Sequence, residues 1–202
     1  MTPREQPLSR DEVLAAALGI IDRDGLDALS MRHLAAELEV EAMSLYHHFP
    51  NKDAILNGVV ERIFIGMRMP EPLPERWDAL AEEMFVAFRT ALADHHNAIL
   101  IMARRPLVTE TSTSFVEMPL AVLSRSGLAP EKVGGLYQSL VAYSFGHAFV
   151  ATGKPQIGPD APVRVEADRY PATVAAGPGV WLFDEATFRQ TLRHIIRGFT
   201  SS

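Results

Sequence analysis

The sequence predicts an all-α protein in two parts: an N-terminal three-helix helix-turn-helix domain over residues 1–68 and a C-terminal helical bundle over 73–202. Three observations predict it. Apolar residues recur at the three-to-four spacing of helices, no segment alternates as a strand does and no internal repeat is present, and a proline-punctuated break, Met69-Pro70-Glu71-Pro72-Leu73-Pro74, separates the two parts.

Ser9-Arg10-Asp11-Glu12 reads as a capping box opening the first helix. Leu14, Ala17, Leu18 and Ile21 give it an apolar stripe up to Asp24-Gly25, where glycine tolerates a left-handed stop. Ser30 caps a second helix that presents Leu34, Ala35 and Leu38 to the same core, Glu39-Val40 is the turn, and a third helix runs from Ala42 to Phe49. No glycine stands in that turn. Asn51 caps a fourth helix, Lys52 to about Met67, with Ile55, Leu56, Val59, Val60 and Ile63 on its apolar face.

Past the proline break, Trp77, Leu80, Ala81, Met84, Phe88, Ala91 and Leu92 make a long amphipathic helix. Ala98 to Met102 makes a short one that ends before Arg105-Pro106. Ser112 to Ser126 contains another; Pro119 lies inside it, so the helix either kinks there or starts near the proline. Pro130 opens the next, running to about Thr152. It is apolar all round and is therefore expected to be buried all round, with Gly135, Ser139, Ala142 and Gly146 in one narrow stripe where a second backbone can approach. Residues 153–162 read as loop, and Val165 to Ala176 as a weak helix before the Gly177-Pro178-Gly179 break. Asp184 caps the last helix, where Phe188, Leu192, Ile195 and Phe199 form one stripe and Arg189, Arg193 and Arg197 another. The small-residue stripe and the Phe188 stripe are the expected seam of a four-helix homodimer.

Nearly half of the 202 residues are hydrophobic, enough for a substantial core. There is no cysteine, which excludes disulfides, thiolate metal sites and cysteine nucleophiles. The N-terminus MTPREQPLSRDE has no apolar signal region, and the densest apolar run, Ala98 to Ala103, is far shorter than the ~20 residues of a membrane span. The expected location is the cytosol, with no membrane partner. A net charge of −6 argues against indiscriminate nucleic-acid binding, whose affinity comes from cations on phosphates. Arg4, Arg10, Arg23, Arg32 and Lys52 are outnumbered by acids even in the N-terminal part.

The stretch from Ser30 to Lys52 is the most informative. On a helical wheel Ala42, Leu45 and Phe49 share one face with Tyr46 at its border, while Met43, Ser44, His47 and His48 lie opposite. At ~1.5 Å per residue that helix is about two turns long, enough to put its first half into a major groove roughly 12 Å wide. A solvated face of a surface helix would carry the same residues, so the wheel alone does not settle the matter.

The order and spacing of Ser30, Arg32, Leu34-Ala35, Leu38-x-Val40, Leu45-Tyr46-x-His48-Phe49 and Asn51-Lys52 resemble the DNA-binding segment of the tetracycline-repressor (TetR) family of transcriptional regulators. The resemblance spans Leu8 to Phe64; beyond it, Trp77 to Arg105-Pro106 is faintly similar to the tetracycline-responsive branch. It implies a one-component regulator, most simply a repressor, that binds a palindromic double-stranded DNA operator as a homodimer and takes a small apolar effector in its C-terminal half. It also implies that Ser44 and His48 touch base edges or nearby phosphates, that Tyr46 and Lys52 clamp phosphate, and that Met31 and Arg32 make groove or backbone contacts. Ala42 and Met43 replace polar or proline side chains of the tetracycline branch and His47 replaces an aromatic, so the operator sequence does not transfer.

Met84, Phe88, Met102, Arg105, Phe115, Met118 and Leu140 are the expected effector-pocket residues. Tyr143 and His147, spaced i, i+4, are either a hydrogen-bonded core pair or groups lining that pocket. Neither His47-His48 nor His95-His96 suits a metal, because neighbouring residues on a helix point about 100° apart. Ile101 stands where the tetracycline branch has a metal-liganding histidine, so neither magnesium nor any other cofactor is expected. The competing classes, an all-α enzyme or an interaction module with the helix-turn-helix as scaffold, find no nucleophile elbow, phosphate loop or H-E-x-x-H pattern in the chain.

Overall fold

The computed structural model describes residues 7–104, 110–152, 166–177 and 183–201, and these contain helices and no strands. In chain order the helices are α1 (Arg10–Asp24), α2 (Met31–Glu37), α3 (Ala42–Tyr46), α4 (Lys52–Ile65), α5 (Trp77–Asp94), α6 (Ile99–Arg104), α7 (Glu110–Ser124), α8 (Pro130–Ala151), α9 (Pro171–Ala176) and α10 (Glu185–Thr200). Among the described residues, no helix is long and apolar enough to cross a membrane.

The local start signals are realised as hydrogen bonds. Ser9 accepts from Glu12 N at 3.2 Å while its own N–H donates to the Glu12 carboxylate at 2.8 Å. Ser30, Asn51 and Asp184 accept from the backbone N–H three residues on at 3.1, 2.9 and 2.8 Å. Each cap satisfies a donor that the helix itself leaves unpaired, and each is worth about 1 kcal/mol.

The glycine-free turn after α2 is a Schellman motif. Glu39 takes the left-handed conformation at φ 55°, Glu39 N–H bonds Ala36 O at 3.2 Å and Val40 N–H bonds Ala35 O at 3.0 Å. A side chain in that region costs roughly 1 kcal/mol. Glu39→Gly is therefore expected to stabilise the N-terminal domain by up to about 1 kcal/mol in urea unfolding, offset in part by glycine's freer unfolded chain; a loss of stability would mean that the turn does not carry this strain.

α1 lies along α4, with Val13, Ala17, Ile20 and Ile21 buried and Leu14 at the edge of the contact. The two approach closely at Gly58, where any Cβ would stand 2.6 Å from Leu14 Cδ2. In the second part, α5 and α8 form the most extensive helix pair, flanked by α7 on one side and α10 on the other. α7 runs through Pro119 without a break in the helix. A proline there takes away the donor that the Phe115 carbonyl would otherwise receive from residue 119.

Within the single subunit α8 is buried on one side only, and the outward side carries Ala142 and Gly146 of the stripe expected to meet a second subunit. Val133, Leu136, Leu140, Ser144, His147 and Ala148 are buried, but Gln138, Ala142 and Gly146 are exposed, and so are Phe149 and Val150, at 60% and 49%. The stripe on α10 is corrected in part. Phe188 and Leu192 are fully buried within the same chain, while Ile195 and Phe199 are half-buried. The Phe199 ring packs on Gly135, whose added Cβ would lie 3.3 Å from it, so Gly135 serves a contact inside the chain. Ser139 is half-buried, its hydroxyl donating to Gly135 O at 2.8 Å. Of the expected seam, Ala142 and Gly146 remain outward-facing.

α10 is tied to α5 by charge. Glu82, 8% exposed, accepts from Arg193 Nε and NH2 at 2.7 and 2.8 Å and from Arg189 at 3.2 Å, and Arg189 reaches Glu83 at 2.6 Å. Burial pushes the Glu82 carboxyl up, but the two guanidiniums outweigh it and hold the group below its usual value. Arg189 and Arg193, read from the sequence as one polar stripe, are thus engaged inside the subunit.

Candidate DNA-binding surface and ligand cavity

α3 is only five residues long and is held by two side chains, Leu45 and Phe49, both at 0% exposure. Arg10 of α1 lies over the Phe49 ring at 4.1 Å and donates to the His48 carbonyl, fixing the end of the turn after α3. With that face pinned, Met43 projects at 69% exposure and Tyr46 at 47%, and His47 is exposed, while Ala42, Ser44 and His48 are half-buried beside them. Met31 and Arg32 open α2, the latter exposed, and half-buried Lys52 opens α4. Arg23 is paired with Glu37 and Asp24, and Arg62 with Asp11. Among the described residues Arg32 and Lys52 make no such pair. The face can therefore offer phosphate two cations and the Tyr46 hydroxyl, and base edges a thioether, a hydroxyl and imidazoles.

A cavity of about 320 Å³ lies where α4, α5, α6, α7 and α8 meet. Phe64 and Met67 close it from the α4 end, Met84, Phe85 and Phe88 from α5, and Met102 from α6; Phe115, Val116, Met118 and Pro119 of α7 and Tyr137, Val141 and Phe145 of α8 complete the wall. Phe64 is stacked between two near-parallel rings, Phe115 at 4.7 Å and Phe88 at 5.7 Å. Burial holds the Tyr137 hydroxyl above its usual pKa, so it stays a neutral donor.

Two links connect this half to the reading head. Phe64 stands in the last turn of the helix that begins at Lys52, and Met67 follows just past its end. The turn after α5 grips the C-terminus of α1: Asn97 Nδ2 donates to Ile21 O at 3.0 Å and Asp22 O at 3.1 Å, and His95 Nδ1 lies 2.8 Å from the Asp22 carboxylate.

Two family models match the chain: "Bacterial regulatory proteins, tetR family" over residues 13–59 and "Tetracyclin repressor-like, C-terminal domain" over 70–202. The chain belongs to the tetracycline-repressor family. It is 32% identical over 143 residues to the class G tetracycline repressor of Vibrio anguillarum, covering 69% of this chain and 67% of that one. It is 33% identical over 125 residues to an HTH-type transcriptional regulator of Saccharopolyspora erythraea, covering 61% of this chain but only 53% of the relative. Among solved structures it is similar to the Streptomyces coelicolor TetR family protein ActR in complex with (S)-DNPA, with TM-score 0.81, 28% identity and coverage of 97% and 98% of the two chains. The same protein in complex with actinorhodin matches equally in TM-score and identity. Family membership makes this chain a DNA-binding transcriptional regulator rather than an enzyme.

Within the TetR-family frame, the structure places Met31, Arg32, Ala42, Met43, Ser44, Tyr46, His47, His48 and Lys52 in one region formed by α2, α3 and the start of α4. Of the expected pocket residues, Met84, Phe88, Met102, Phe115 and Met118 line the cavity. Arg105 lies outside the described residues. Leu140, Tyr143 and His147 do not line it. They sit on another face of α8, Leu140 in the core and Tyr143 stacked on Phe188 at 5.1 Å, because at about 100° per residue they fall away from the Tyr137, Val141, Phe145 row. Reading α8 as uniformly apolar hid that row, although its i, i+4, i+8 spacing was there to be used. Phe64 and Met67 line the cavity and were not among the expected pocket residues, because an apolar face on the fourth helix does not say which neighbour it meets.

His147 is 4% exposed and packs edge-on to Phe188 and Phe183, with Arg89 Nε donating to its Nδ1 at 3.3 Å. Burial first, then the Arg89 charge, pushes the imidazole below its usual pKa. The unfolded chain then binds the proton more readily than the folded one, so this group's contribution is fully present above the ordinary histidine pKa of ~6.5 and is lost as pH falls toward the folded value. Wild-type melting temperature is expected to drop between about pH 7.5 and pH 5.5, and part of that drop should vanish in His147→Gln; identical pH profiles for the two proteins would exclude His147 as the source.

Proposed function

We propose that the protein is a cytoplasmic, ligand-responsive repressor that binds a palindromic operator as a homodimer and releases it when a small molecule occupies the α4–α8 cavity. The observation that carries this reading is α4 itself, which starts at Lys52, close after α3, and carries Phe64 of its last turn into the cavity wall. A ligand that prefers one tilt of α4 also prefers one spacing of the two reading heads. Only that differential affinity lowers operator binding. Two half-sites one turn apart require recognition helices ~34–36 Å apart. The actinorhodin complex of the similar ActR supports a small molecule as the effector. The outward Ala142, Gly146, Phe149 and Val150 face of α8 offers the partner subunit a surface with room for close approach.

The test is selection of genomic DNA fragments by purified protein at two salt concentrations. A short palindrome bound by a dimer is expected. Counting Arg32 and Lys52, which make no ion pair among the described residues, as the phosphate-binding cations of each head, log affinity should fall against log salt with a slope of about −4 for the dimer. Weak binding without a shared sequence would sink the reading.

Contact roles separate by mutation. Lys52→Ala and Tyr46→Phe should each weaken binding by roughly 1 kcal/mol per head on every operator sequence, whereas Ser44→Ala should change the preferred base at one position by about 1–3 kcal/mol. Equal affinities for all three variants, measured by fluorescence anisotropy against a base-substitution series, would remove these assignments.

A further inference from the structure

We propose that Asn97 and His95, in the turn after α5, are positioning residues for operator recognition: they hold the C-terminal end of α1, and α1 is the lever that fixes the angle of α3 and so the half-site spacing the dimer accepts. The role rests on the reading of the protein as a dimeric operator binder and adds what sets the reach of each head.

Arg10, at the start of α1, lies over the Phe49 ring at 4.1 Å and donates to the His48 carbonyl, so the N-terminal end of α1 carries the end of the recognition helix with it. Along its length α1 meets α4 at Gly58, where Leu14 seats against bare backbone and a Cβ would stand 2.6 Å from its Cδ2. Packing that close makes the head turn as one body.

The other end of α1 is held from the C-terminal half of the chain. A helix leaves its last carbonyls without partners inside the helix. Asn97 answers two of them with one carboxamide, Nδ2 donating to Ile21 O at 3.0 Å and to Asp22 O at 3.1 Å. His95 Nδ1 stands 2.8 Å from one Asp22 carboxylate oxygen, and because an ionised carboxylate only accepts, the imidazole is the donor. The other oxygen is buried without a hydrogen-bond partner among the described residues, so His95 is what keeps that carboxylate in place. The turn bearing both groups is itself anchored: Ala98 and Ile99 are buried, and Ala98 N–H bonds His95 O at 2.8 Å. A single contact would let α1 swivel, whereas bonds from two side chains of one short turn to two adjacent residues fix its direction.

Arg10 and Asp22 are ~18 Å apart along the helix at ~1.5 Å per residue. A tilt of ~10° about the clamp therefore moves the Arg10 end by ~3 Å, close to the ~3.4 Å between neighbouring base pairs. Loosening the clamp thus costs the head its discrimination between one half-site spacing and the next, while α3 keeps its own fold. None of Arg10, Asp22, His95 and Asn97 lines the α4–α8 cavity, so α1 orients the head by a route separate from the ligand.

The experiment compares wild type with Asn97→Ala and with Asn97→Asp, which keeps the shape and removes the donor, in two measurements. Operator affinity is measured first, on the selected palindrome and on versions with one base pair added to or removed from its centre. Wild type is expected to lose at least about tenfold on each altered spacing, and the variants less than about threefold. Structural support alone would lower every affinity together and leave the ratios as in wild type, which would overturn the proposal. The second measurement needs no DNA. Glu41→Cys in the head and Lys132→Cys on α8, both at exposed sites in a chain without native cysteine, take spin labels. Dilution with unlabelled chains leaves only the distance within one chain to be read by pulsed electron resonance. The Asn97 variants should broaden that distance distribution by about 3 Å or more. A distribution as narrow as that of wild type would overturn the proposal whatever the DNA shows. Broadened distances with a wild type that binds no palindrome would instead overturn the dimeric operator reading, and the spacing claim with it.

Discussion

Leu45→Ala is expected to cost about 2–5 kcal/mol of N-terminal domain stability and to reduce operator binding below detection. The reason is geometric. α3 has five residues, too few to hold itself as a helix, and its anchors are Leu45 and Phe49 at 0% exposure. Deleting Leu45 leaves a cavity between α3 and the core it is anchored in, which a short helix could fill only by rotating. Rotation by one residue, about 100°, would carry Met43 and Ser44 out of the groove. Urea unfolding followed by operator titration measures both effects. A destabilisation under 1 kcal/mol with operator affinity intact would show that α3 is oriented by something other than Leu45.

Val141→Trp is expected to do the opposite: little harm to stability and an effector response reduced at least about hundredfold. Val141 is half-buried and its side chain faces the cavity, so an indole can enter space that is already empty instead of wedging apart packed helices. Overpacking of a dense core costs about 1–3 kcal/mol, and a loss below 1 kcal/mol is expected here because the volume is available. Operator affinity should stay within about threefold of wild type in the absence of ligand. Measured release of operator by ligand, at wild-type concentrations, would mean that the effector binds elsewhere.

The regular architecture was legible in the sequence wherever a few neighbouring residues decide it. The caps at Ser9, Ser30, Asn51 and Asp184 need only a side chain and a backbone N–H three residues away, and all four are made. Periodicity placed Leu45 and Phe49 inside and Met43 and His47 outside, because a short helix with a single apolar side leaves one face for solvent; that this face reads DNA came from the resemblance. The turn was the local exception. Glu39 adopts a left-handed conformation that composition would assign to glycine, and it is held there by the Val40 and Glu39 hydrogen bonds to α2.

The C-terminal half was less legible because its helices are apolar on more than one side. Periodicity identifies an apolar residue without saying which neighbour it will meet. Thus Phe188 and Leu192 were assigned to a partner subunit and pack inside their own, and Tyr143 and His147 were left between core and cavity and lie in an aromatic cluster with Phe188. Arg10 over Phe49 and the Glu82, Arg189 and Arg193 network join residues far apart in the chain, so no local pattern announces them.

By itself, then, the sequence determined the helices, their caps, the helix-turn-helix with its outward residues, and the absence of thiol chemistry. Tertiary structure alone decided which face of α8 meets α5, α7 and α10, where the cavity forms, and that Phe64 of the reading head's own α4 stands in its wall. Helices are set by contacts three and four residues apart, whereas cavities are set by the leftover space between helices, which exists only after those helices have packed.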